Sequence, residues 1–426
     1  MEKIKFPRVG EEMYHEKLEN GLNVFVFPKK GFQKGYAFFA TNYGGMDMRF
    51  CLDGEWHDTP AGVAHYLEHK MFDTEDGNAL QDLAAQGASP NAFTGSALTG
   101  YYFESAEHFK ENLKILLSFV SIPYFTQESV DKEQGIIGQE IGMYDDNADW
   151  QLYISLMEAM YFHHPIRVSV AGSVESISHI TAETLYACHK AFYDPANMVL
   201  CVAADQDPEE ICAIAREILP KQAGPIALKD YGAAEPEQVA KNLVEQEMEV
   251  SCTIFQLGYK GDAPKQGADG LRQELVAELA AEALLGNSSP LYAKLYREGL
   301  INAGFAYGYE AYPGCAILFA GGDSKDPEAV RAAIAEEAAR IGREGIDQKL
   351  WERLVKGSYG AKVRSLNSFE NLCVSQAQSF FHGVDFLTFA EVYDAVTKKE
   401  AEALIEKWIV PERTALSIVR PKGGQA

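Results

Sequence analysis

Two histidines and a glutamate form the pattern with the clearest chemical meaning in this sequence. His65, Glu68 and His69 stand in the order H-x-x-E-H, and on a helix these positions share one face. Two imidazoles four residues apart can bind one metal ion, while the carboxylate between them lies beside the ion without ligating it. This layout is typical of zinc hydrolases, which combine two histidine ligands, an activated water and a glutamate base. The alternative is an amphipathic helix with its histidines in the core, but that buried set would need many hydrogen-bond partners.

A pair of acidic residues further along the chain supplies candidates for the third protein ligand that a zinc site requires. Glu133 and Glu140 are seven residues apart, or two helical turns, and the stretch around them, IIGQEIGM at residues 136–143, is otherwise apolar. One carboxylate could bind the ion while the other supports a ligand by hydrogen bonding. The spacing alone leaves open a plainer interpretation, in which both are ordinary acids that face the solvent.

The elements that must position these residues follow an order that the chain repeats. Residues 21–28 and 35–42 have the composition of paired strands, and a helix is predicted to begin with Thr59 as its N-cap and Pro60 as its first residue. Two strands, at about 88–94 and 99–105, come before long helical segments at about 107–122 and 127–160. From about residue 252 the same order of strand, helix, two strands and long helices returns.

The repeat predicts an α+β protein of two homologous domains, each a mostly antiparallel sheet with helices packed on one face. We place the domains at residues 1–222 and 246–426, and the glycine- and proline-containing segment 223–245 as the linker between them. The second domain contains no H-x-x-E-H, so we expect it to lack zinc ligands and to help enclose the substrate.

Composition excludes several classes of function. The net charge of −24 argues against nucleic acid and anionic membrane surfaces as partners. No apolar run is long enough for a transmembrane helix, and the first residues show no signal peptide, so we expect a cytoplasmic protein. The seven cysteines are scattered without a C-x-x-C motif, which indicates reduced side chains rather than disulfides or a cysteine zinc site.

Five segments make the first half of the chain resemble the pitrilysin/insulinase family of zinc metallopeptidases, also called inverzincins. They are GVAHYLEHKMF, GASPNAFTGSALTGYYFES, EQGIIGQEIGMYDDNADW, HHPIRVSVAGSVESISHIT and FYDPANMVLCVAADQD. Their order and spacing match the catalytic half of that family, and the second half of the chain matches only in outline. The resemblance is strongest to two-domain bacterial members related to mitochondrial processing peptidases.

The resemblance implies a role for each residue of the first pattern. His65 and His69 match the zinc-binding histidines, and Glu140 matches the third ligand of a single Zn²⁺. Glu68 matches the catalytic base, while Glu133 matches a glutamate that assists catalysis without being the main ligand.

The resemblance also implies where a peptide would bind. Asn91, Ala92 and Phe93 match an edge strand whose backbone pairs with the substrate as an added strand, a mode with loose sequence demands. In the second half the family motif R-x-x-x-G-L-x-Y is imperfect, because Arg297 stands two positions late and Asn302 replaces the tyrosine. Arg297 and Tyr307 are the predicted substrate contacts there, with a surface role for Arg297 as the open alternative.

These expectations point to a zinc metalloendopeptidase that hydrolyses peptides or unfolded segments. One alternative is a maturation peptidase that removes leader sequences and needs a partner chain; another is a non-catalytic binding or scaffold subunit of the same fold. Longer family members form a clamshell from four such repeats. A two-repeat chain resembles half a clamshell, so we expect a homodimer or a heterodimer with a catalytically inactive paralogue.

Overall fold

A computed structural model describes residues 1–423 of the chain, which form two compact units. Unit 1 contains Met1–Ile141, Ser169–Tyr231 and Val363–Thr388. Unit 2 contains Gly142–Val168, Gly232–Lys362 and the described residues from Phe389 onward.

The elements are numbered in chain order. The strands are β1 Glu2–Phe6, β2 Glu11–Lys17, β3 Asn23–Pro28, β4 Gly35–Thr41, β5 Arg49–Leu52, β6 Glu55–Asp58, β7 Asp73–Thr74, β8 Gly77–Asn78, β9 Ser89–Thr94, β10 Thr99–Ser105, β11 Met198–Ala204, β12 Leu228–Lys229, β13 Leu243–Met248, β14 Ile254–Lys260, β15 Ala306–Tyr312, β16 Cys315–Asp323 and β17 Thr414–Pro421. The α-helices are α1 Val63–Met71, α2 Ala79–Ala85, α3 Phe109–Ser121, α4 Gln127–Asp145, α5 Ala148–Met160, α6 Val174–Ile177, α7 Ala182–Phe192, α8 Pro208–Ile218, α9 Gly267–Leu285, α10 Pro290–Arg297, α11 Pro327–Glu344, α12 Gln348–Ser365, α13 Phe369–Phe381, α14 Phe389–Tyr393 and α15 Lys398–Trp408.

Unit 1 is built on a seven-stranded sheet in the order β1-β2-β3-β11-β4-β10-β9. Every pair of neighbours is antiparallel except β3 and β11, which are parallel. Strand β9 lies at the end of the sheet, next to β10, and α1 packs against it. This edge therefore holds both the predicted peptide-binding strand and the helix that carries H-x-x-E-H.

Helices cover both faces of the unit 1 sheet at its centre. On one face the ring of Phe109, at the start of α3, packs on Phe103 of β10 at 5.1 Å between ring centroids. On the other face Phe380 of α13 meets the edge of Phe25 on β3 at 5.3 Å. Strands β3, β4 and β11 are consequently buried along almost their whole length, which explains why they contain continuous runs of apolar residues.

Unit 2 contains a five-stranded sheet in the order β13-β17-β14-β16-β15, again antiparallel apart from one parallel pair, β13 and β17. Helix α5 packs on β14 and β17, while α9 packs on β15 and β16. The predicted α+β class, with two mostly antiparallel sheets, is confirmed.

Each unit contains a helix from the other half of the sequence. Helix α13 belongs to unit 1 although its residues fall within 246–426, and α5 belongs to unit 2 although its residues fall within 1–222. The helices on one face of each sheet match the predicted layout. The helix that comes from the other half of the sequence, α13 in unit 1 and α5 in unit 2, covers the second face of the sheet. The predicted domains, 1–222 and 246–426 with a linker at 223–245, follow the two halves of the sequence repeat. These boundaries stay a prediction.

Two predicted helix boundaries are wrong. Helix α1 begins at Val63 and not after Thr59, because the Thr59 amide and hydroxyl both donate to the carbonyl of Met48 and hold that residue in a loop. The segment 127–160 is two helices, because the chain turns at Asp146 and the side chain of Asn147 accepts from the amide of Trp150 to cap α5.

In residues 1–423 we find no helix with the length and apolar character that a membrane crossing demands.

Candidate metal centre

Helix α1 is buried on nearly all sides, which holds its side chains in place. Gly62 precedes it with a φ of 94°, and a Cβ atom there would lie 2.7 Å from the carbonyl oxygen of Ala171, so this position requires glycine. The hydroxyl of Tyr66, buried in the middle of α1, donates to the carbonyl of Val130 on α4. This contact joins the helix of H-x-x-E-H to the helix that carries Glu133 and Glu140.

The structure brings His65, His69 and Glu140 together as a possible metal site, with one ligand atom from each lying within 4.8 Å of the others. Nε2 of His65 is 3.6 Å from Oε1 of Glu140, and Nε2 of His69 is 3.5 Å from Oε2. A tetrahedral zinc ion with bonds of about 2.0–2.1 Å separates its ligand atoms by roughly 3.4 Å. The donor types and the spacing therefore fit a zinc ion, and three protein ligands would leave a fourth position for water or substrate.

The two histidines differ in how their other ring nitrogen is supported. Nδ1 of His69 is 3.1 Å from Oε1 of Glu133, which can accept its proton and leave Nε2 free to ligate. Nδ1 of His65 is buried without a hydrogen-bond partner among residues 1–423. Glu133 therefore supports the outer nitrogen of a candidate ligand, and the carboxylate of Glu140 faces the Nε2 atoms of both histidines.

Glu68 lies between the two histidines on the buried side of α1. Burial raises the pKa of its carboxyl, and this effect outweighs the lowering by His65 and His69 and by a hydrogen bond from Thr94. The Thr94 hydroxyl donates to Oε2 of Glu68 at 3.1 Å. Glu68 is thus a partly desolvated carboxylate, held on one oxygen, beside the possible metal site.

Charges around the site move two further pKa values. The hydrogen bond with His69 lowers the pKa of Glu133, against the effect of burial and with help from Lys70. Burial alone would lower the pKa of His69, but the hydrogen bond to Glu133 and the charges of Glu68 and Glu140 raise it. A cation at this position, whether a proton or a metal ion, is therefore stabilised by three carboxylates.

Two residues of this neighbourhood escaped the reasoning from sequence. Thr94 ends β9 and contacts Glu68, and Lys70 directly follows His69 and lies close to Glu133. The Lys70 side chain is only 3% exposed. For Lys70 the signal in the sequence was a lysine within a largely apolar helix. For Thr94 the sequence contained no local signal, because its contact with α1 depends on how β9 packs against that helix.

The predicted substrate residues lie in separate places. Asn91, Ala92 and Phe93 are on β9, whose backbone pairs with β10 on one side and ends the sheet on the other within the described residues. The Phe93 ring stacks on Phe38 at 5.8 Å, so its side chain packs on the sheet. In unit 2, Arg297 is an exposed residue at the end of α10 and the Tyr307 hydroxyl donates to Glu282, so their predicted role stays a prediction.

Comparison with known proteins places the chain in a family. The profile described as Insulinase (Peptidase family M16) matches residues 53–173, and that described as Peptidase M16 inactive domain matches residues 179–358. The sequence is 39% identical over 424 residues to the uncharacterized zinc protease YmfH of Bacillus subtilis, covering 98% of this chain and 99% of that protein. The chain belongs to the insulinase family of peptidases, M16.

Two solved structures share this fold. The crystal structure of an M16-like peptidase from Alicyclobacillus acidocaldarius superposes with a TM-score of 0.93 at 32% identity, over 97% of this chain and 99% of that chain. A protease from Helicobacter pylori shares the fold, with a TM-score of 0.82 at 16% identity over 96% of this chain and all of that chain. The possible metal site of this M16 chain falls within residues 53–173, the segment matched by the Insulinase profile.

Proposed function

We propose that this chain is a zinc-dependent metalloendopeptidase that hydrolyses peptides or unfolded segments. The observation that carries the proposal is the convergence of His65, His69 and Glu140, with Glu68 beside them, at distances that suit one zinc ion. The names of the curated relatives as zinc proteases support the same conclusion.

The residues of the site divide the chemistry between them. When bound, zinc lowers the pKa of its water towards about 7 and polarises the scissile carbonyl. Glu68 takes the proton from the attacking water and later returns it to the leaving amine. Thr94 donates to Oε2 of that carboxylate and holds its orientation. Glu133 holds the proton of His69 at Nδ1 throughout.

Strand β9 supports the binding step of the proposal. The backbone groups of successive residues in a strand face opposite edges, so part of the backbone of Asn91, Ala92 and Phe93 pairs with β10 and the rest faces the outer edge, where a peptide could add as a further strand. The Ala92 amide donates to Oδ1 of Asn91. Thr94, at the end of the same strand, contacts the base. A peptide paired with β9 would therefore be held in register with Glu68 by one short segment of the chain.

The test compares cleavage of a mixed quenched-peptide library by the wild type, Glu68→Gln and Glu128→Gln. Glu128 is the control, because it is an exposed acid on α4 that pairs with Lys132. We expect internal cleavage by the wild type and the control, and a loss of about 10²–10⁴-fold in Glu68→Gln with zinc content retained. Equal turnover by Glu68→Gln and the wild type would contradict the role of Glu68.

The result also bears on a partner chain. A zinc-loaded wild type that cleaves no peptide would contradict a self-sufficient enzyme and favour a subunit that needs a mate or only binds. A homodimer, or a heterodimer with an inactive paralogue, stays a prediction that the native mass of the purified chain tests.

A further inference from the structure

Lys70 is a buried cation that the proposed peptide hydrolysis does not use. Its ammonium donates to the carboxylate of Asp73 and lies 3.5 Å from Oε2 of Glu133. An ammonium removed from water loses much of its favourable hydration, which close opposite charges and hydrogen bonds offset. The two carboxylates therefore explain how Lys70 is tolerated there, and one of them belongs to the metal centre.

The contacts of Glu133 run in two directions. Its Oε1 faces Nδ1 of His69 at 3.1 Å, and its Oε2 faces Nζ of Lys70 at 3.5 Å. A carboxylate held at both oxygens cannot rotate about its last bond without losing one partner. Lys70 thus restricts the orientation of the Glu133 carboxylate relative to the histidine.

Lys70 also lies on the face of α1 that meets α4. Tyr66, one turn earlier on α1, donates to the carbonyl of Val130, and Val130 lies one turn before Glu133 on α4. The two contacts, Tyr66 with Val130 and Lys70 with Glu133, follow the same direction along both helices. Together they set the position along α4 at which Glu133 meets His69.

We propose that Lys70 is a positioning residue of the metal centre: its ammonium, anchored on Asp73, holds the Glu133 carboxylate on Nδ1 of His69. This inference rests on the metal site of the proposed function. An imidazole whose proton stays on Nδ1 presents an unprotonated Nε2 to the metal. Nδ1 of His65 has no such partner in residues 1–423, so the outer support of the site passes through His69.

The experiment measures the zinc affinity of the metal-free chain by competition with a chromophoric chelator near neutral pH. Removing an outer partner of a metal ligand typically weakens binding 10–100-fold, and we expect about that loss for Glu133→Gln and about ten-fold for Lys70→Met. The double variant should bind zinc no more weakly than Glu133→Gln alone, because Lys70 acts through Glu133. Lys29→Met is the matched control, since Lys29 is a partly buried lysine of unit 1 whose ammonium pairs with Glu11.

Two further measurements separate positioning from folding. Unfolding of each variant is followed with chelator present, so that a loss of stability without metal is not counted as a loss of affinity. Lys70→Arg keeps the positive charge and should bind zinc more tightly than Lys70→Met; Lys70→Gln replaces Lys70→Met if that variant does not fold.

Several outcomes would overturn the inference. Lys70→Met could bind zinc as tightly as the wild type, or Lys70→Arg could lose as much zinc affinity as Lys70→Met. The double variant could also bind zinc more weakly than Glu133→Gln by the whole factor seen in Lys70→Met. These outcomes are distinct from a failure of the proposed function. A chain that binds zinc with this dependence on Lys70 but cleaves nothing would contradict the peptidase and leave the positioning role in place.

Discussion

Replacing Thr94 with valine removes the hydrogen bond to Oε2 of Glu68 while keeping the size and branching of the side chain. The bond is 3.1 Å long, partly buried, and made to a carboxylate. A hydrogen bond to a charged group contributes about 1.5–3 kcal/mol, and each 1.36 kcal/mol changes a rate about ten-fold. Because the bond orients the base and does not bind the peptide, we expect kcat to fall about ten- to hundred-fold and KM to stay within about two-fold of its wild-type value.

The same substitution has a signed effect on the pH profile. The Thr94 hydroxyl lowers the pKa of Glu68, so its removal should move the acid limb of kcat/KM to higher pH. Steady-state cleavage of a quenched peptide, measured across the pH range for the wild type, Thr94→Val and Thr94→Ser, checks both effects. Thr94→Ser keeps the hydroxyl and should restore most of kcat. A Thr94→Val enzyme with unchanged kcat, or one that loses only peptide affinity, would refute the reasoning.

Three further predictions concern stability and metal binding. Asp47 is fully buried and accepts from Lys229, Tyr231 and the amide of Gly44, so Asp47→Ala should lower the free energy of unfolding by about 3 kcal/mol in denaturant titrations; a loss below about 1 kcal/mol would contradict the importance of this anchor. Burial lowers the pKa of His189 from 6.5 to about 4, so its contribution is complete above pH 6.5 and is lost as pH falls towards 4. The free energy of unfolding should drop by about 3 kcal/mol over that interval, and a His189→Gln variant with the same pH dependence would show another group to be responsible. Zinc at 100 times its Kd should raise the free energy of unfolding of the metal-free chain by about 2.7 kcal/mol; Glu140→Ala should abolish most of this gain, and an equal gain in that variant would place the ion elsewhere.

The local pattern of α1 was readable from the sequence because it depends on helix geometry alone. Three residues at spacings of three and four must lie on one face of any helix, whatever surrounds it. The chemistry of their side chains then restricts that face to a few uses. The start of this helix was predicted wrongly, because the loop that holds Thr59 depends on a hydrogen bond to the carbonyl of Met48, the residue before β5.

The different positions of Glu133 and Glu140 around the histidines could not be predicted from their spacing in the sequence. Two acids seven residues apart on one helix are equivalent until the helix is placed against its neighbour. In the structure α4 meets α1 through contacts between residues 64 and 71 positions apart in the chain, and these put Glu133 at Nδ1 of His69 and Glu140 at Nε2. The resemblance to the family had implied the same assignment.

The sequence by itself therefore determined the order of elements, the helix that carries His65, Glu68 and His69, and the metal chemistry that these side chains favour. Only the tertiary structure decided that α13 completes the core of unit 1, that Thr94 reaches the base, and that Lys70 supports Glu133. The physical reason is range: helix and strand periodicities act over a few residues. Contacts between distant segments depend on which apolar faces pack together, and that choice is made by the whole fold.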